Sequence, residues 1–109
     1  MSSETLVVLC TLPDQEIAAR IAGLLVEEQL AACVNIIPGL VSVYRWEGSV
    51  QQDNEVLLLI KTVAAIYPQL EQRIRAMHPY ELPEIIAVPL QTGQADYIQW
   101  INDSLIHSS

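Results

Sequence analysis

The sequence predicts one α+β domain of order β-α-β-β-α-β with a short helix appended. Three observations predict it. Apolar runs of strand length recur at residues 6–9, 56–60 and 85–88. Two stretches with apolar residues at helical spacing separate them, and a Glu47-Gly48-Ser49 turn joins the middle pair of strands. The 109 residues are 51% hydrophobic and 17% charged, enough for one core in a single domain spanning residues 1–109.

Residues 5–11 (TLVVLCT) are short, β-branched and bounded by Pro13-Asp14, which reads as a buried strand. Asp14 is a credible N-cap, because its carboxylate can accept the orphan amides of a first helical turn. Ile17, Ile21, Leu24 and Leu25 then recur on one stripe, predicting an amphipathic helix over residues 14–30. Residues 32–46 read as strand again, with a bulge or bend at Pro38-Gly39. Beyond it Leu40, Ser42, Tyr44 and Trp46 share one face; Val41, Val43 and Arg45 share the other. After the turn, residues 50–62 return as the third strand of a hairpin.

A second helix buries Leu70, Ile74 and Met77, admits Pro68 in its first turn and ends at His78-Pro79. Residues 84–90 form a fourth strand that Pro89 confines to an edge or bulge, and Asp96 is expected to cap the last helix. Right-handed crossovers around a central hairpin give the ferredoxin-like split βαβ sheet, an antiparallel sheet in the order 4-1-3-2.

The three apolar runs do not alternate, although helices cover only one face of such a sheet. Their second face would leave an apolar patch beyond the few hundred Å² usual for a monomer. A homo-oligomer is therefore expected, with the terminal helix covering part of the face and other copies the rest.

Thirteen acidic against five basic side chains give a net charge of −8, which excludes nucleic acid and anionic membranes as partners. Cations, neutral small molecules and proteins remain. No basic segment precedes an apolar run at the start, and two cysteines make no disulfide framework, so a cytoplasmic setting with reduced thiols is expected. Phosphate-binding glycine loops and a nucleophile elbow are missing, so no enzyme is expected.

The topology brings the end of the first strand, the end of the second helix and the start of the fourth strand to one rim. Cys10, His78, Tyr80, Glu81 and Glu84 lie there, with Trp46-Glu47 nearby. A thiolate, an imidazole and a carboxylate suit a borderline or soft divalent ion such as Cu²⁺ or Zn²⁺. Each has a structural alternative. Cys10 can be a small core residue, His78 a helix cap, and Glu84 a solvated charge beside a turn. Tyr44, Trp46, Lys61, Tyr80 and Trp100 are candidates for lining a ligand cleft; the aromatic ones can equally be core or interface anchors, and Lys61 a guard on a strand edge.

Several stretches carry a family resemblance: Val8-Leu9-Cys10-Thr11, Leu30 to Gly39 (LAACVNIIPG), Ser42 to Gly48 (SVYRWEG), His78 to Ile85 (HPYELPEI) and Asp96 to Trp100 (DYIQW). Over nearly its whole length the chain resembles CutA, the divalent-cation tolerance proteins. The resemblance implies a ferredoxin-like subunit in a tight homotrimer similar to those of PII signalling proteins, and three chains of −8 make −24. It also implies Cu²⁺ binding and a role in tolerance to divalent ions, with Cys10 and Glu84 as metal ligands and His78 as the available imidazole. In one respect the chain departs from the pattern. Some members carry two histidines before Pro-Tyr, the first assigned to metal, and here that position is Met77.

Overall fold

The computed structural model describes residues 3–106. Its elements run β1 (Thr5–Leu12), α1 (Gln15–Glu27), β2 (Cys33–Trp46), β3 (Ser49–Val63), α2 (Tyr67–Met77), β4 (Ile85–Pro89) and α3 (Ala95–Asp103). The four strands form one antiparallel sheet in the order β2-β3-β1-β4, the split βαβ arrangement the sequence predicts. Pro89 falls on the edge strand, where its missing amide costs no ladder bond.

Alternation along the strands defines the two faces. Val8, Cys10, Leu12, Leu58 and Ile60 turn toward α1 and α2 and are buried with Ile21, Leu25, Leu70 and Ile74. Their neighbours Val7, Leu9, Leu57 and Leu59 turn to the opposite face and stay partly exposed. Ile86 and Val88, paired with Leu9 and Val7, extend this open face and are 54% and 51% exposed. α3 crosses one end of it. Lys61, between the helix-facing Ile60 and Thr62, meets the Tyr97 hydroxyl at 3.5 Å, and Ile101 beneath is buried.

Helix α1 stops three residues short of the sequence expectation because Gln29 adopts a left-handed φ of 60°. The Leu30 amide then reaches the Leu25 carbonyl and the Gln29 amide the Val26 carbonyl, a Schellman closure, with Leu30 and Leu25 buried together. Asp14 caps this helix as expected, accepting from the Ile17 amide at 2.9 Å. Asp96 does not cap α3. The N-cap is Gln94, which makes no side-chain bond there, and Asp96 sits in the first turn, where a negative charge still favours the dipole.

The central hairpin is longer than the rest of the sheet. β1 ends opposite Val56, so the half of β3 before it pairs only with β2, across the register shift between Ile37 and Leu40. Glu47 and Gly48, with φ of 50° and 84°, make its two-residue turn, and Ser49 already belongs to β3. This arm stretches the molecule to 46 × 26 × 22 Å, with a radius of gyration of 14.6 Å against about 13 Å for a compact chain of this size.

Candidate functional site

The site is assembled where the arm leaves the body. Pro79 forbids another helical residue at 78, and His78 turns out of α2 as its C-cap. The buried ring bridges two segments. Nδ1 accepts from the Tyr80 amide at 3.1 Å, so Nε2 carries the proton and donates to the Thr11 carbonyl at 2.7 Å. The loop between α2 and β4 is thereby strapped to the end of β1.

Tyr80 continues across the rim and donates its hydroxyl to Oε2 of Glu55 at 2.9 Å. On the arm, Tyr44 donates to the Asp53 carboxylate. Register places Tyr44 and Trp46 on the same face as Asp53 and Glu55. Between arm and loop lies a groove of about 730 Å³, walled by Tyr44, Trp46 and Tyr80 and by the carboxylates of Asp53, Glu55, Glu81 and Glu84. Both phenols are held in their neutral form. Burial pushes Tyr80 up, followed by its bond to Glu55, while the bond to Asp53 is the first cause for Tyr44.

Cys10 lies on the helix face behind this rim. Burial pushes its thiol up to about 12, and the charges of Glu84 and Glu55 push in the same direction. At neutral pH it is a protonated core thiol in a negative field. On the same side, burial and a bond to Glu71 push the Tyr67 phenol up to about 12.

The structure brings Cys10, His78 and Glu84 to one rim, as the topology predicts, but not into a ligand set within one chain. Among the described residues no three His, Cys, Asp or Glu side chains converge to hold an ion. The reasons are local: Cys10 points into the core, and both ring nitrogens of His78 are engaged. The cleft candidates also divide. Tyr44, Trp46 and Tyr80 line the groove; Lys61 and Trp100 do not. Lys61 sits six residues further along β3 than Glu55, about 20 Å at strand rise, where its ammonium meets Asn35 at 2.7 Å and the ring of Tyr97. Trp100 packs against that same Tyr97 ring.

Asp53 and Glu55 are not among the site residues that the sequence singles out. A signal was present: residues 51–55 (QQDNE) switch abruptly to residues 56–60 (VLLLI) within one predicted strand. That polarity break marks where β3 leaves the body, and Glu55 is the last residue of the polar stretch.

Sheet order, helix placement and rim together define an α+β protein of the split βαβ class whose distinguishing feature is an acidic, aromatic groove beside the central hairpin. The CutA1 divalent ion tolerance protein family matches residues 6–104, and the chain belongs to that family. The divalent-cation tolerance protein CutA of Thermus thermophilus is 52% identical over 90% of this chain and 95% of its own. The chloroplastic protein CutA 1 of Oryza sativa is 46% identical over 92% of this chain, which spans little more than half (56%) of that longer relative. The crystal structure of CutA1 from Oryza sativa superposes with a TM-score of 0.95 at 44% identity, covering 98% of both chains.

Proposed function

We propose that this protein binds divalent metal ions, copper foremost, in the response or tolerance to them, as a cytoplasmic homotrimer and without catalysing a reaction. The observation that carries the reading is the field at Cys10. Burial first, and then the charges of Glu84 and Glu55, hold the thiol's proton, and the same negative field attracts a cation. A cation arriving there reverses the local sign, releases that proton and gains a thiolate beside a carboxylate, a pairing that suits copper or zinc. His78 adds its imidazole only by giving up the Tyr80 amide or the Thr11 carbonyl. The name of the Thermus thermophilus relative, a divalent-cation tolerance protein, supports the same reading.

The trimer rests on the open face. Ile86, Val88 and Ile37 are half-exposed there beside Val7, Leu9, Leu57 and Leu59, and burying them between copies is favoured by about 25 cal/mol per Å².

Native mass spectrometry with and without added Cu²⁺ tests both parts, reporting subunit number and metal stoichiometry together. Three chains are expected, with copper bound and with its affinity falling at least about tenfold in Cys10→Ala and in Glu84→Gln. Unchanged affinity in both variants would remove this rim as the metal site.

A second reading is favoured by the groove itself. Three half-exposed rings and a volume within the range of small-molecule sites suit a trimeric, PII-like signalling module holding a small ligand.

A further inference from the structure

We propose that the groove between the β2–β3 arm and the loop after α2 binds an organic cation, an ammonium carried on an apolar body, with Glu55 as its counter-charge. This deepens the small-ligand reading of the groove and rests on it.

The argument begins with Glu55. The residue is 8% exposed, yet it carries a formal charge whose one hydrogen bond among the described residues comes from a neutral phenol, that of Tyr80. The phenol satisfies Oε2 and leaves Oε1 without a donor. No buried side-chain oxygen among the described residues is both sealed from solvent and unpartnered, so Oε1 keeps contact with solvent, and Glu55 lines the groove. The ion pair found among the described residues joins Arg73 to Glu28 and lies elsewhere. Arg45 borders the groove, but register points it to the opposite face of the ribbon from Tyr44 and Glu55. A carboxylate this enclosed favours a positive group beside it, and none of the described residues supplies one.

The walls say which kind of positive group fits. Tyr44, Trp46 and Tyr80 line the groove, and aromatic ring faces attract ammonium groups and their attached carbons. A bare divalent ion instead needs several converging donors, and no three such side chains converge among the described residues. The two tyrosine hydroxyls are already spent on Asp53 and Glu55 and stay neutral, which leaves rings and carboxylates as the recognition elements.

Calorimetric titration of the assembled protein with 2-phenylethylammonium, in the presence of a chelator so that metal plays no part, tests the inference. The neutral isostere 2-phenylethanol is run alongside. The expected result is saturable binding of the ammonium, with the alcohol at least about tenfold weaker. Glu55→Gln, checked by circular dichroism for an unchanged fold, should lose at least about tenfold in ammonium affinity and little in alcohol affinity. Equal binding of both compounds, or no effect of Glu55→Gln, would overturn the cationic ligand class while leaving a small-molecule groove. No binding of either would overturn the groove reading and the inference together. A structure of the assembly with a basic side chain of a second copy seated on Glu55 would also overturn it.

Discussion

The Nε2 of His78 lies 2.7 Å from the carbonyl oxygen of Thr11, and this contact ties the end of α2 to the end of β1. Because Nδ1 meanwhile accepts from the Tyr80 amide, one ring fixes the loop that carries Tyr80 to Glu55. Removing the ring orphans a buried carbonyl and an amide and leaves a cavity. We expect His78→Ala to lower unfolding free energy by about 2–4 kcal/mol in urea titrations. His78→Gln, whose amide can still donate to Thr11, should cost less. Equal losses would show that packing of the ring, rather than its bridge, is what matters.

Alkaline stability follows from the proton holders behind the rim. Cys10 moves from 9.0 unfolded to about 12 folded, and Tyr67 from 10.0 to about 12; Tyr44 and Tyr80 also move up. Each binds its proton more tightly in the folded chain. Their contribution is therefore complete below pH 9 and is lost as pH rises from about 9 through about 12. Thermal melts should show a Tm that falls steadily over that window. In Cys10→Ala the part of the fall that begins near pH 9 should vanish, whatever the variant's absolute Tm; an unaltered slope would mean the thiol is not so displaced.

How far the sequence could be read depended on what kind of signal each residue carries. Ile17, Ile21 and Leu25, or Val8 and Leu58, announce their burial through periodicity, because a core contact is made by apolar type and spacing alone. The rim was legible as an address, since topology brings Cys10, His78 and Glu84 to one edge. What those side chains do there was not, because it turns on rotamers and competing partners. The Thr11 carbonyl claims His78, and no residue type advertises that. Without a register, sequence alone groups Lys61 and Trp100 with Tyr44. Once β3 is aligned on β2, the strand's own length separates them. The end of α1 was missed because glutamine rarely adopts the left-handed conformation that closes it.

That helix end is open to improvement. Gln29 occupies the position where a Schellman closure ordinarily takes glycine, at a φ of 60° that costs a residue with a Cβ about 1–2 kcal/mol. Gln29→Gly relieves this strain but loosens the unfolded chain. The net expectation is a gain of about 0.5–1 kcal/mol in urea-derived stability. A loss would mean that the glutamine side chain makes a compensating contact.

The open sheet face yields the sharpest test of assembly. Ile86 stands half-exposed beside Leu9 in the register of β1 and β4, and partly exposed Leu59 on β3 lies on the far side of Leu9. If copies of the chain cover this face, glutamate at position 86 must leave water for an apolar contact on every protomer, and Lys61 on the same face is already engaged by Asn35 and Tyr97. A substitution so exposed in one chain should scarcely alter the folding of that chain, since it removes no core contact there. Ile86→Glu is therefore expected to convert trimer to protomer in sedimentation velocity at micromolar concentration while leaving the far-ultraviolet dichroism unchanged. A control on the opposite side of β4, Ala87→Ser, should stay assembled. An Ile86→Glu protein that still sediments as a trimer would place the interface elsewhere and leave this apolar face without a cover.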